Sequence, residues 1–450
     1  MEHFTIDKQT YNDLNIFSAA AGSKSIYGLF KHTRTLAAQK RLLEMMQTPS
    51  NNIADIELRR DAIKYFYDQQ VNLDVKNEEI DLIDYYLKSK FPAFKNNPID
   101  GLADYLRRNS SNNYYVIKTG LRYLIQLSRY LLEFIEYHQE NKPPTYLCII
   151  FEQLKTILGE GVLLKATLLN EKELTFSEVT RFDRAIRGIE KENIKVLLQL
   201  VYELDIFENI ALVAAAKGYS FPVYIRDPDI KLDIKGLFHP FIPNAVKNDV
   251  SLGEDQTMIF LTGSNMAGKS SLLKSLGLVI YLSQLGFPVP AEAVELTVFN
   301  GLVTTINLPD NINQGLSHYY SEVRRVKEVA EHLLKQQKLF VIFDELFRGT
   351  NVKDAFDGSA LIISELSSIK NSAFIISTHI MELAEVLRKY NNISFSYLET
   401  HFKNHRPVFT YQLATGVSQE ALGMYIVQNE GIVEIIRQAS TQQHMKLDER

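Results

Sequence analysis

An internal disulfide is the first thing this 450-residue chain cannot make, because Cys148 is its single cysteine. That fits a reducing compartment. Nowhere do roughly 18 apolar residues follow one another, so no membrane-spanning helix is expected. The opening Met1-Glu2-His3-Phe4-Thr5-Ile6-Asp7-Lys8 has neither a basic stretch nor an apolar one behind it, and no secretory leader is expected. An excess of positive charge is missing too. With 49 Lys and Arg against 54 Asp and Glu the net charge is -5, so any contact with a polyanion must come from a local patch. Internal repeats and low-complexity runs are absent. What is plentiful is apolar surface, 46% of residues, enough to bury at least two cores.

The apolar spacing divides the chain near residue 225. Before it, apolar residues recur at helical intervals: Ile26, Leu29 and Phe30; Ile117, Leu121, Leu124, Leu127 and Leu131; Ile194, Leu197, Leu198 and Val201. Pro143-Pro144 breaks this pattern and predicts a turn between helices. After Pro222 the period becomes two, with Ile230, Leu232 and Ile234 alternating with Asp229, Lys231, Asp233 and Lys235 as in a half-exposed strand. Gly431 to Arg437 returns to a helical pattern. The expected fold is α plus α/β, with an all-helical domain over 1–225 and an α/β domain with a mainly parallel sheet over 226–450.

Chemistry begins at Gly263-Ser264-Asn265-Met266-Ala267-Gly268-Lys269-Ser270-Ser271, two glycines at the spacing of a phosphate-binding loop, followed by Lys and a hydroxyl. The apolar run 257–262 before it and Leu272, Leu273, Leu276, Val279 and Ile280 after it supply the strand and helix the loop needs. Amides of such a turn and the positive end of the helix make an anion site. Lys269 would pair with the outer phosphates of a polyphosphate, and Ser270 would ligate Mg2+. The plain alternative is a glycine turn opening an ordinary helix.

Leu339-Phe340-Val341-Ile342-Phe343 ends in Asp344-Glu345. A buried strand would deliver Asp344 to the Mg2+ shell and Glu345 to an attacking water. Two acids at a strand end can also be a solvated turn. A third apolar run, Ala373 to Thr378, ends at His379. At the carboxyl end of a parallel strand His379 suits a γ-phosphate contact, although a polar cap is the simpler reading.

These segments together resemble the ATPase domain of the MutS DNA mismatch-repair family. Asn265-Met266 inside the loop, Arg348-Gly349-Thr350 after the acids, and Ser377-Thr378-His379 followed by Glu382-Leu383 are more particular to that family than the generic loop. His239-Pro240-Phe241-Ile242-Pro243-Asn244 resembles its approach to the nucleotide, which implies Phe241 and Ile242 against adenine; Phe241 could instead be core. Gly315 to Val323 resembles its signature segment, which implies that Ser317 reaches the nucleotide of a second subunit, with Glu322 matching as well. Ser317 could be a helix N-cap, and the two roles are compatible. Ser25 to Ile63 and Tyr202 to Tyr219 are similar to the two ends of the family's core helical domain. The resemblance implies an ABC-type ATPase with a C-terminal dimerisation segment, a homodimer, ATP and Mg2+ as ligands, DNA and other repair proteins as partners, no membrane, and a cytoplasmic or nucleoid-associated location.

Departures are equally specific. The core-like segment begins near Ser25, so the mismatch-reading wedge and connector of full-length members are expected to be absent, and residues 70–200 read as helices without the family's β-rich clamp. Ser264, Ala267 and Ser271 replace Pro, Gly and Thr of the family's loop. Residues 351–358 run about two longer than the counterpart, so either Asp354 or Asp357 could take its acid's place. Arg107-Arg108, Arg324-Arg325 and the stretch from His401 to Arg406 are candidate phosphate contacts or merely solvated surface. A dimer docking a protein through its helical arms, and the ATPase of a transporter, are the competing readings.

Overall fold

A computed structural model describes residues 4–17, 24–90, 112–264, 266–306, 318–403, 406–418 and 429–448. Contacts divide the chain into two compact units. One contains residues up to Leu14, Val223–Tyr281 and Pro290 onward; the other contains Asn15–Pro222 and Leu282–Val289.

The sheet unit opens with β1 (Thr5–Ile6) and α1 (Lys8–Asp13). The helical unit follows: α2 (Ile26–Phe30), α3 (Leu36–Gln47), α4 (Ile53–Asp68), α5 (Asn77–Lys88), α6 (Asn112–Gln139), α7 (Thr145–Leu158), α8 (Gly161–Thr167), α9 (Phe176–Arg187) and α10 (Lys191–Lys217). Their starts are written in the sequence. Ser25, Thr35 and Asn52 each accept an amide hydrogen at the head of α2, α3 and α4, and Thr175 with Glu178 forms a capping box on α9. Pro144 stands at the N-cap of α7, so the expected Pro-Pro turn lies between α6 and α7. Gly218 takes the left-handed conformation that stops α10.

Helix α10 packs against α3 and α4, and α6 against α5. Buried Leu197, Val201, Leu204, Phe207 and Ile210 supply the α10 face. Within that apolar seam Asp205 accepts from the amides of Arg34 and Thr35 and from the Thr35 hydroxyl at 2.8–2.9 Å. Glu208 receives two hydrogen bonds from the Arg34 guanidinium at 2.6 Å. Burial pushes the Asp205 carboxyl up despite these donors. Among the described residues of 15–222 there is no strand.

The sheet unit continues with β2 (Val223–Ile225), β3 (Leu232–Leu237), β4 (Asn248–Leu252), β5 (Met258–Thr262), α11 (Lys269–Gln284), whose last residues from Leu282 belong to the helical unit, β6 (Ala293–Thr297), β7 (Gly301–Thr305), α12 (His318–Lys335), β8 (Leu339–Asp344), α13 (Val352–Ser367), β9 (Ala373–Ser377), α14 (Leu383–Leu387), β10 (Ile393–Lys403), β11 (Arg406–Thr415) and α15 (Ile432–Asp448). Seven strands form one sheet in the order β1-β7-β8-β9-β5-β10-β11. Every neighbouring pair is parallel except β10 with β11. A second sheet, β2-β6-β3-β4, is mostly antiparallel. The fold is therefore mixed α/β with a mainly parallel main sheet. Strands β5 and β9 are buried throughout, and Phe260, Val341, Phe343, Phe374 and Ile376 lie in one apolar cluster. Among the described residues no helix is long and apolar enough to cross a membrane.

One boundary is corrected. The first residues, expected with the helices, instead add β1 to the sheet edge, with Thr5 opposite Gly301 and Ile6 opposite Leu302. Leu14 beyond α1 then comes so close to α11 that a Cβ on Gly277 would lie 2.7 Å from Leu14 Cδ2. A two-residue strand carries too little periodicity to be read in advance.

Candidate nucleotide site

The parallel register sets the site. Leu261 on β5 pairs with Ser377 on β9, and Asp344 on β8 pairs with the same Ser377, so the loop after β5 and both acids emerge at one sheet end. Open α/β sheets place ligands at this end. Gly263 at φ +142 and Gly268 at φ +97 let the loop turn back on itself. Lys269 is the first residue of α11.

Lys269 is almost fully buried, with Nζ donating to Gly263 O at 2.5 Å and lying 3.9 Å from Glu345 Oε1. Burial lowers its ammonium below the usual lysine range, and the Glu345 and Asp344 carboxylates counteract part of that. An anionic phosphate would favour the charged form further. Ser270 Oγ donates to Asp344 Oδ2 at 2.5 Å, and the other carboxylate oxygen accepts from the Ser377 hydroxyl. Glu345 sits in the left-handed region at φ 63, its amide donating to Ser377 O at 3.1 Å. Its carboxylate lies 3.7 Å from His379 Nδ1 and 3.9 Å from Arg348 Nε. The nearby His379 imidazole holds Glu345 below the usual carboxylate range against the opposing effect of burial, with Lys269 and Arg348 assisting.

A cavity of about 530 Å³ adjoins the loop, lined among others by Phe238, His239, Ile242, Met266, Lys269, Ser270 and Tyr411. Ile242, 43% exposed, is on its wall. Phe241 is not part of this lining; it is half-buried, its ring edge-on to His239 at 5.9 Å. The aromatic walls are instead Phe238 and Tyr411. Ser264 Oγ is buried with no hydrogen-bond partner among the described residues, as expected of a loop with bonds left to make. Ser317 and Asn265 lie outside the described residues, as do Arg107 and Arg108. Asn351 caps α13 by accepting from Asp354 N and donates its side-chain amide to the Asp354 carboxylate, while Asp357 is exposed on the same helix.

The family model for MutS domain V matches residues 259–448. This stretch is similar to that domain. The chain is 22% identical to the DNA mismatch repair protein MutS of Petrotoga mobilis, covering 96% of this chain and 64% of that one. The MutS of Thermotoga maritima is 25% identical over 91% of this chain and 58% of its own length. That of Leptospira interrogans is 28% identical over 69% and 38% respectively. The chain thus spans less than two thirds of the length of these relatives.

Several residues of this site gave no local signal. Tyr411 lies on an antiparallel edge strand well over a hundred residues beyond the loop, yet a Cβ on Gly268 would meet its ring at 3.1 Å. Asn248 on β4 holds that strand, donating to Tyr411 O at 3.0 Å and accepting from Leu413 N at 2.7 Å. Ser377 was legible only as the end of a strand. Register alone makes it a partner of Asp344.

The donor set fits Mg2+. That ion takes oxygen ligands from one or two protein groups plus substrate phosphates, and Ser270 with Asp344 brings a hydroxyl and a carboxylate to one point.

Proposed function

We propose that this chain is an ATPase whose site is completed by a second copy, and that its nucleotide state governs how it engages DNA. The observation that carries the chemical part is the convergence of Lys269, Ser270, Asp344, Glu345 and His379 at one sheet end. The relatives' name, DNA mismatch repair protein, supports the DNA part.

Phosphoryl transfer asks a protein mainly for positioning and charge stabilisation. Loop amides and Lys269 bind the β- and γ-phosphates. Ser270 and Asp344 would hold Mg2+, which when bound neutralises developing phosphate charge. Glu345, beside His379, orients the water whose oxygen bonds to the γ-phosphorus as the bond to ADP breaks; the proton leaves toward Glu345 or the departing phosphate. His379 stands within reach of that phosphate. Adenine takes the cavity walled by Phe238, Ile242 and Tyr411. Ser317 of a second copy completes the site.

With a net charge of -5, DNA contacts should be local and mostly to phosphates, which position a protein without reading bases. Titration of paired, mismatched and four-way-junction DNA at two salt concentrations, with ATP present, tests this. Binding should weaken with salt and separate mismatched from paired duplex by under about tenfold, with stronger preference for branched shape. A hundredfold preference for the mismatch would overturn the phosphate-contact reading. Absence of any DNA binding would favour a nucleotide-switched protein-docking module.

A further inference from the structure

A buried polar network ties the first residues of the chain to the sheet edge and to α12. Asp7 caps α1 through Oδ1, which accepts from Thr10 N at 2.7 Å, and its Oδ2 accepts from Arg325 Nη1 at 2.6 Å. Arg325, on α12, also donates to Thr304 O at 2.7 Å and to Thr305 Oγ1 at 3.2 Å. From the far end of α1, Asp13 Oδ2 accepts from Thr304 Oγ1 at 2.7 Å and from Ile306 N at 2.9 Å. Thr10 Oγ1 accepts from Thr304 N at 2.9 Å. Thr10, Asp13, Thr304 and Arg325 are all buried. Charges taken this far from water are costly unless paired, and a buried pair is best attested as a device that fixes register.

The helix fixed in this way also holds the catalytic loop. Glu322, three residues before Arg325 and also buried, accepts from Gly349 N at 3.2 Å and lies 3.9 Å from Arg348 Nε. Arg348 Nε in turn lies 3.9 Å from Glu345 Oε2. We infer that Asp7, Asp13 and Arg325 are positioning residues: the N-terminal segment fixes α12, and α12 through Glu322 fixes the Arg348-Gly349 turn that orients Glu345. None of the three lines the nucleotide cavity, so affinity for nucleotide is set elsewhere. The inference rests on the reading of Glu345 as the residue that orients water.

The test compares Asp7→Asn, Asp7→Glu, Glu322→Gln and the Asp7→Asn/Glu322→Gln double variant in the full chain. Asp7→Asn should lower kcat about tenfold while KM and the affinity for a fluorescent ATP analogue stay within about twofold. Asp7→Glu should recover most of the loss, and the double variant should be no slower than Glu322→Gln alone, because the two lie on one line of contacts. Amide exchange over residues 345–350 should quicken in Asp7→Asn, with β9 unchanged. Should Asp7→Asn not fold, Arg325→Lys, which keeps the charge but loses the forked contacts, is read in the same way. A fall in melting temperature with unchanged kcat and unchanged exchange at 345–350, or a loss of affinity in step with kcat, overturns the inference. If the parent chain does not hydrolyse ATP, the ATPase reading fails by itself, and the exchange data alone decide whether the N-terminal segment holds the loop.

Discussion

Ser270 Oγ lies 2.5 Å from Asp344 Oδ2, joining the helix after the phosphate loop to the end of β8. A hydroxyl and a carboxylate this close form a ready pair of oxygen ligands for Mg2+ once phosphates arrive. Asp344→Asn should therefore weaken Mg2+-dependent ATP binding roughly 10–100-fold while leaving Mg2+-free nucleotide binding little changed. Isothermal titration with and without Mg2+ checks this, and equal losses in both would assign Asp344 a structural role only.

Glu345→Gln and Lys269→Ala should separate catalysis from binding. The first removes the anion that orients water and should slow hydrolysis at least about a hundredfold with ATP still bound. The second removes the buried ammonium and should show up first as lost affinity. Single-turnover hydrolysis and equilibrium binding on the same preparations distinguish them.

The Tyr411 ring lies against Gly268 of the loop. Gly268→Ala would place a methyl 3.1 Å from the Tyr411 ring at a φ of +97, and strain of about 1–3 kcal/mol should distort the loop and weaken ATP binding. Tyr411→Ala should relieve the contact but not the backbone strain, so the double variant should remain weak. Tyr411→Ala alone should reduce affinity by about 1 kcal/mol through loss of an aromatic wall. Nucleotide affinities of the three variants settle the ordering.

His239 gives the site a pH dependence. Burial, helped by the Lys274 charge, lowers its imidazole from 6.5 to about 4. The unfolded chain therefore takes up the proton first as pH falls, so the stability contributed by neutral His239 is complete above about pH 6.5 and is lost progressively toward about pH 4. His239→Asn keeps an acceptor near the Phe241 amide that His239 Nδ1 faces at 3.4 Å. Its melting temperature should fall less than the parent's between pH 7 and pH 5, and parallel curves would remove His239 as the cause.

A site shared between copies has a mixing signature. Ser317→Ala and Lys269→Ala proteins should each be nearly inactive. Mixed equally, they should regain about a quarter of parental activity, since half the dimers are mixed and one of their two sites carries neither change. No recovery, with subunit exchange shown separately, would make the site complete within one chain.

The sequence by itself determined the parts whose information is local. Two glycines, Lys269 and Ser270 between a buried run and a helical one specify loop, strand and helix together, because backbone freedom and apolar period act over a few residues. Asp344 and His379 were legible for the same reason, as polar residues ending apolar strands. Only the tertiary structure decided what depends on strand order and register: Ser377 beside Asp344, Tyr411 against Gly268, and Phe238 rather than Phe241 on the cavity wall. It also decided that Thr5 and Ile6 extend the sheet and that Asp7 meets Arg325 across more than 300 residues. Pairings at such separation are chosen by burial and hydrogen-bond satisfaction of the whole fold, and no short window of sequence encodes which partner wins.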